Sequence, residues 1–323
     1  MDRGIFKMCN KVFKIRIESW QDISDCLFYF SRGYLFRGHG DASWDLETSL
    51  ERKYNKYKEE TDTINSHPDY QFRSGTFANP LTLKEEFSAI QTYKRLIQLQ
   101  HSGITNIEIL ARMQHYGTPT RLLDVTSSFL IALFFAFEEP GVNDRAIWVF
   151  NESYFYKNSP LIKNSLDSWF DEEIEIWDAF VRLMSNKEKL YDTIWKSAEK
   201  CIVNDENNNQ KLSIIPLKIE GNNPRLIAQN SSFLFPTTLA PFKKHLLELL
   251  KIKPNDFENA LNNSCSLQDL KKGHIKIVDA AIIKLEFPTS THHFVEKLLN
   301  NANISAYTVY PDEIGIAKSI KYW

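Results

Sequence analysis

Only four cysteines occur in the chain, Cys9, Cys26, Cys201 and Cys265, and no two of them form a CxxC pair. Such spacing supports neither a disulfide framework nor a zinc site, so the expectation is reduced thiols in a cytoplasmic protein. Long apolar runs are also missing. The most apolar segment, Phe129 to Phe137, is far shorter than the roughly 20 residues that cross a bilayer. The opening MDRGIFKMCNKVFKI lacks the apolar core of a secretory signal. Membrane function is thereby excluded from the expectation. No Walker A loop, GxGxxG turn or HExxH pair is present, which removes the commonest phosphate-loop, dinucleotide and zinc-protease readings. Neither sign of charge dominates: 39 Lys and Arg stand against 41 Asp and Glu, a net charge of -2. Bulk charge therefore gives no argument for nucleic-acid binding, although it leaves room for a local basic groove. There is no internal repeat and no low-complexity tract.

Apolar and aromatic residues are plentiful. Of 323 residues, 43% are hydrophobic and 13% aromatic, enough for a large core in one big domain or two ordinary ones. Periodicity predicts a strand over 12–18, a short helix over 24–30 and a strand from Tyr34 to Arg37, followed by a turn through Gly38 and Gly40 and a return strand from Ser43 to Leu46. The polar stretch 51–80 is expected to be a surface excursion. Helices are predicted over 83–100 and from Asn106, taken as the cap, to Tyr116. A strand over 122–125 leads into a helix from Thr126–Ser128 to Glu138 or Glu139, apolar on nearly every face and so buried. A central strand follows over 146–150. Residues 152–212 form a helical insertion. NPRLIAQNSSFLFPTT suggests a strand pair, with Arg225 and Gln229 on one strand face. The rest is a helix opened by Pro241, a strand over 280–287, a helix over 290–300, a strand from Ile304 to Tyr310, and a last helix capped by Asp312. The fold class is α+β, a mixed and mainly antiparallel sheet core with surrounding helices.

Two short stretches concentrate the chemistry. In YLFRGHGDASW, Arg37 leaves an apolar run ahead of Gly38 and His39. A guanidinium stays charged and offers a fork of donors suited to phosphate, so an unpaired burial would be very costly. It must meet either an internal carboxylate or an anion in a cleft. In QHYGTPTRLLDVTSS, His115, Arg121, Asp124, Thr126, Ser127 and Ser128 crowd the entrance of the buried helix. Free N–H groups and the positive dipole end there suit a phosphate. Alternatively one hydroxyl caps the helix and Asp124 pairs with Arg121. Adjacent His292 and His293 diverge on a helix and make a poor metal site, and no metal is expected.

LFRGHGDASWDLETSLER, QHYGTPTRLLDVTSSFLIALFFA, NPRLIAQNSSFLFPT and ISAYTVYPDEIGIAKSI together resemble the FRG domain family, named for its Phe-Arg-Gly signature. The resemblance runs from about Trp20 to Ile320, treating 1–323 as a single FRG-type domain with 152–212 inserted in it. It departs at AQNSSF, where the family usually carries a glycine after the glutamine. The FRG strand and the strand entering TSS are, more distantly, similar to the Arg-Ser-Glu class of ADP-ribosyltransferases. That similarity implies an ADP-ribosyltransferase-like sheet and NAD as the substrate. Arg37, with Gly38, His39, Arg121 and Gln229, would hold its phosphates or ribose, and Thr126, Ser127 and Ser128 would support the nicotinamide pocket. The carboxylate that steadies the ribose would come from Glu220, Asp124 or Asp312, with His115 beside it, because no ExE or QxE motif stands near NPRLIAQ, where the order of the blocks would place it. The function so implied is ADP-ribosyl transfer by a bacterial toxin or phage-defence effector acting on nucleic acid or protein, with an antitoxin or other neutralising partner. The alternatives are a non-catalytic module that binds nucleotide or nucleic-acid phosphate, and a scaffold whose polar cluster is a buried network.

Overall fold

The computed structural model describes residues 11–30, 32–56, 83–99, 103–160, 187–203, 212–219, 223–268 and 280–320. Its centre is an eight-stranded sheet. The strands are β1 (Val12–Arg16), β2 (Tyr34–His39), β3 (Leu123–Thr126), β4 (Arg145–Asn151), β5 (Ile214–Leu217), β6 (Ser231–Pro236), β7 (Ser264–Cys265) and β8 (Ile282–Phe287), in the order β5-β6-β3-β2-β4-β8-β1-β7. Only β1 pairs in parallel, with β7 and β8, and the remaining ladders are antiparallel. The α+β, mainly antiparallel architecture follows directly.

Helices cover both faces. They are α1 (Trp20–Tyr29), α2 (Leu83–Leu96), α3 (Asn106–His115), α4 (Phe129–Phe137), α5 (Glu152–Asn158), α6 (Lys187–Val203), α7 (Pro224–Ala228), α8 (Phe242–Leu250), α9 (Pro254–Asn262), α10 (His292–Asn301), α11 (Ala306–Val309) and α12 (Glu313–Ser319). On one face α4 lies against β2 and β4, with α1 and α10 beside it, in a core that includes Phe36, Leu133, Ile147 and Val295. This explains the all-apolar FLIALFFAF: the helix is enclosed by the sheet and by the later helices, so it has no solvent face to make polar. On the other face α8 and α9 bury Leu246, Leu249 and Phe257 with Leu35 and Phe150. A third cluster joins α2, α3 and α6 to β5 and β6. Within the inserted segment, α6 is fastened to the start of α3, where Glu199 accepts hydrogen bonds from the Ile107 N–H and from Asn106 Nδ2.

Several elements differ from the sequence expectation, each for a local reason. No return strand forms at Ser43–Leu46. Asp41 accepts from both the backbone N–H and the hydroxyl of Ser43, and Trp44 N–H returns to the Asp41 carbonyl, so the segment spends its hydrogen bonds on a turn. The cap of α3 is Thr105, in a capping box with Glu108, and Asn106 is the first helical residue. Within 51–80, residues 51–56 are helical and the remainder lies outside the described residues. NPRLIAQ is the helix α7 and not a strand: the Asn223 side chain accepts from Arg225 N–H and Pro224 sits at the first helical position. Within Ile304–Tyr310 no strand forms either: Ala306–Val309 is helical, as α11, which starts from a box formed by Ser305 and Thr308. Asp312 does cap α12, accepting from Ile314 and Gly315 N–H. Among the described residues no helix is long and apolar enough to cross a membrane.

Candidate functional site

The site originates in an imperfect ladder. β2 pairs with β4 along its whole length, from Tyr34 opposite Asn151 to His39 opposite Ala146, but with β3 only through Phe36 and Thr126. Beyond that pair β2 and β3 part. Into the gap β2 sends Arg37, whose Nη1 donates to the Asp124 carbonyl at 2.8 Å. A side-chain fork thus meets a main-chain acceptor where the ladder stops. The strand runs on to His39, so Arg37 stands within β2 and not at its exit.

Alternation puts Leu35, Arg37 and His39 on one face and Phe36 and Gly38 on the other. Gly38 is required by packing. A Cβ there would lie 2.2 Å from the Ala132 carbonyl oxygen and 2.7 Å from Ala136 N, because α4 lies directly on β2 at this point. His39 Nε2 accepts from Arg37 Nε at 3.0 Å. Burial, reinforced by the Arg37 charge, pulls the His39 pKa down to about 3, so the imidazole is neutral and serves as an acceptor. Burial also lowers Arg37, to about 10, against the pull of Asp124 in the other direction; the guanidinium remains charged at neutral pH. With Nε on a neutral ring and Nη1 on a carbonyl, Arg37 has no carboxylate partner among the described residues, and Nη2 has no partner of any kind there.

Arg37 opens onto a cleft of about 330 Å³. Phe36, Phe135, Leu226 and Phe233 give it apolar walls, and Gln114, His115, Asp124, Thr126, Arg225 and Gln229 supply polar groups. Asp124 is exposed; its Oδ2 accepts from Gln114 Nε2 at 2.6 Å, while Oδ1 has no hydrogen-bond partner among the described residues. Gln114 is itself fixed, donating to the Leu122 carbonyl and accepting from the Ser49 and Thr120 hydroxyls. His115 closes α3 with its ring edge-to-face against Tyr116, and burial followed by Arg225 and Arg112 lowers its pKa while Asp312 opposes them.

The hydroxyl cluster divides its roles. Thr126 lines the cleft, but its Oγ1 donates to the Gln229 carbonyl at 2.7 Å and accepts from Ser128 N–H. Ser128 is the cap of α4, accepting from Ile131 N–H. Ser127 turns outward and bonds the Asn230 carbonyl. Together they clasp the β3–α4 turn to the α7–β6 turn. In that second turn Asn230 takes a φ of +45°, the left-handed region that a glycine would occupy, and asparagine is the residue that tolerates it next best.

Arg121 does not join Arg37. It is buried and ion-paired through two nitrogens with Glu86, and it donates to the Pro236 and Thr237 carbonyls. Neither a cleft position nor the expected pairing with Asp124 describes it. Glu220 lies outside the described residues. Sequence reasoning passed over Gln114, which a glutamine inside a helix gave no cause to single out. It also set aside Arg225, whose Cζ lies 4.6 Å from the Tyr310 ring centroid; reading α7 as a strand hid its approach to the cleft.

Comparison with curated proteins and with solved structures returns no match. The family comparison does: over residues 32–145 the chain matches the FRG domain, and this segment supplies Arg37, Gln114, His115, Asp124 and Thr126 to the cleft.

Proposed function

We propose that the cleft binds a phosphate-bearing nucleotide. The observation that carries this reading is the state of Arg37: a charged, partly enclosed guanidinium with a free nitrogen, facing a concave pocket and lacking a carboxylate partner among the described residues. Such a cation is stabilised by an anionic guest. The apolar walls around a few converging polar groups suit a base or sugar beside that phosphate.

A second reading is favoured by Asp124. Its unpartnered Oδ1 stands in the same cleft, so a bound NAD would have a carboxylate near its ribose. When the glycosidic C–N bond breaks, the bonding electrons leave with nicotinamide and positive charge develops on the sugar carbon. A positioned carboxylate stabilises that charge until a nucleophile, water or a target group, takes the carbon. ADP-ribosyl transfer to nucleic acid or protein belongs to this reading, as does a neutralising partner for the toxin it would make.

Calorimetry with the full chain tests both. Nucleotide binding weakened at least tenfold by Arg37→Ala, with the melting temperature nearly unchanged, supports the first reading; undisturbed binding overturns it. Release of nicotinamide from labelled NAD, reduced about 10²–10³-fold by Asp124→Asn, supports the second. Binding of NAD without release leaves a module that recognises nucleotides and does no chemistry on them.

A further inference from the structure

Arg37 is not alone in the cleft. Arg225 lines it as well, delivered by α7 from the opposite wall. Its guanidinium is stacked on Tyr310, whose hydroxyl is tied to Glu138, so the group is held in place. Among the described residues it makes no ion pair. Two guanidinium groups without an ion-paired carboxylate therefore line one small volume in which Asp124 is the one carboxylate among the lining residues, an excess of positive charge that an anionic guest would offset. A single phosphate can be shared by two forks, whereas two linked phosphates give each fork its own pair of oxygens.

Arg225 also marks a boundary. Together with Ala111, His115 and Leu226 it lines a neighbouring compartment of about 640 Å³, so the two spaces share these residues as a common wall. Charge there is mixed. Arg112, Glu108 and Asp312 line it together, and both carboxylates are already engaged, Glu108 by Thr105 and Asp312 by the N–H groups that start α12. A compartment of that kind suits an uncharged group, and the exposed ring of Tyr116 at its edge offers a face for a base.

We infer that the cleft is built for two linked phosphates, one on Arg37 and one on Arg225, so that its ligand is a nucleoside diphosphate or a dinucleotide and not a nucleoside monophosphate. This rests on the nucleotide reading above.

Titrating the full chain with AMP and with ADP decides it. ADP is expected to bind about tenfold more tightly than AMP. In Arg225→Ala the two are expected to bind alike, at the AMP level, while Arg37→Ala weakens both. If Arg225→Ala melts early, Arg225→Gln, which keeps a planar terminus on Tyr310 without the charge, serves for the same ratio. Equal affinity of the native chain for AMP and ADP overturns the inference and leaves nucleotide binding standing, as does an ADP advantage that survives at Arg225→Ala or Arg225→Gln. Failure of both AMP and ADP, with binding of a thymidine hexanucleotide instead, overturns the nucleotide reading itself and assigns the two arginines to successive phosphates of a strand.

Discussion

At the scale of single residues, the Phe36-Arg37-Gly38 triplet assigns its three members to different tasks. Phe36 enters the core against Phe129, its ring edge-on at 5.5 Å between centroids. Arg37, on the opposite face, turns to the cleft. Gly38 brings α4 onto β2, and through α4 it sets the height of the turn that carries Thr126 and Ser128. Its absent side chain is thus a structural requirement, and the nearest obstacle to a methyl group is backbone, which cannot swing aside. Gly38→Ala should destabilise the protein by about 3 kcal/mol through overpacking, and weaken nucleotide binding only as far as the cleft wall shifts. Urea unfolding measures the first quantity; an unchanged midpoint would show that α4 does not rest on the strand as described. Gly315 repeats the device at the other end of the chain, where an added Cβ would lie 1.9 Å from the Tyr310 carbonyl oxygen while Asp312 holds the N–H of the same glycine.

At the scale of elements, two arginines that look alike in the sequence have opposite surroundings. Arg121 is sealed with Glu86 between α2 and the end of β6, with Phe235 under its guanidinium at 5.1 Å. Removing one partner of a buried pair strands the other charge, at a cost of about 3–5 kcal/mol. Glu86→Gln should therefore lower stability by roughly that amount and leave nucleotide affinity unchanged. Arg37→Ala should do the reverse, so melting and calorimetry on the two variants separate framework from site; a loss of affinity in Glu86→Gln would mean that Arg121 belongs to the cleft after all. The sequence could not tell these arginines apart, because Glu86 sits on a separate helix and its pairing with Arg121 depends on how α2 is docked. Other features were legible. Alternation marked β1, a short apolar run marked β4 as a central strand, the longer unbroken apolar run marked α4, and Pro-Asp ahead of EIGIAKS marked the cap of α12. The two helices read as strands, α7 and α11, each carried a start signal, Asn-Pro in one and Ser-x-x-Thr in the other. At five and four residues they are too short for a helical period to outweigh their β-branched and aromatic side chains.

At the scale of the molecule, the cleft exists because the sheet comes apart between β2 and β3, and no single segment encodes that parting. Arg37 and Asp124 meet across 87 positions, and the pocket is completed by α7, which the ladder of β6 with β3 brings alongside. The fold that holds this arrangement also buries two neutral histidines on the side of the sheet away from α4. His39 is enclosed beside Arg37, with Arg52 and Lys284 facing it and the Trp44 backbone opposing them. His245 is fully buried, with Nδ1 on the Pro241 carbonyl and Nε2 accepting from Thr238 N–H, while Arg121 and Lys244 stand near it. Burial depresses both, His39 to about 3 and His245 to about 4, from an ordinary value of 6.5. Below pH 6.5 the unfolded chain takes up protons that the folded chain refuses, so stability is full above that pH and declines as the pH falls toward the folded values. Each histidine should contribute a loss of about 1.4 kcal/mol per pH unit within its window, and the two windows overlap from pH 6.5 down to about 4. Urea midpoints at pH 7.5, 6, 5 and 4.5 should fall steadily. His245→Gln, whose amide can still accept from Thr238, should start lower and fall about half as steeply. Stability that holds level from pH 7.5 to 5 would mean that both imidazoles take up protons without disturbing the fold, and that the acceptor role of His39 beneath Arg37 is not what keeps that guanidinium aimed into the cleft.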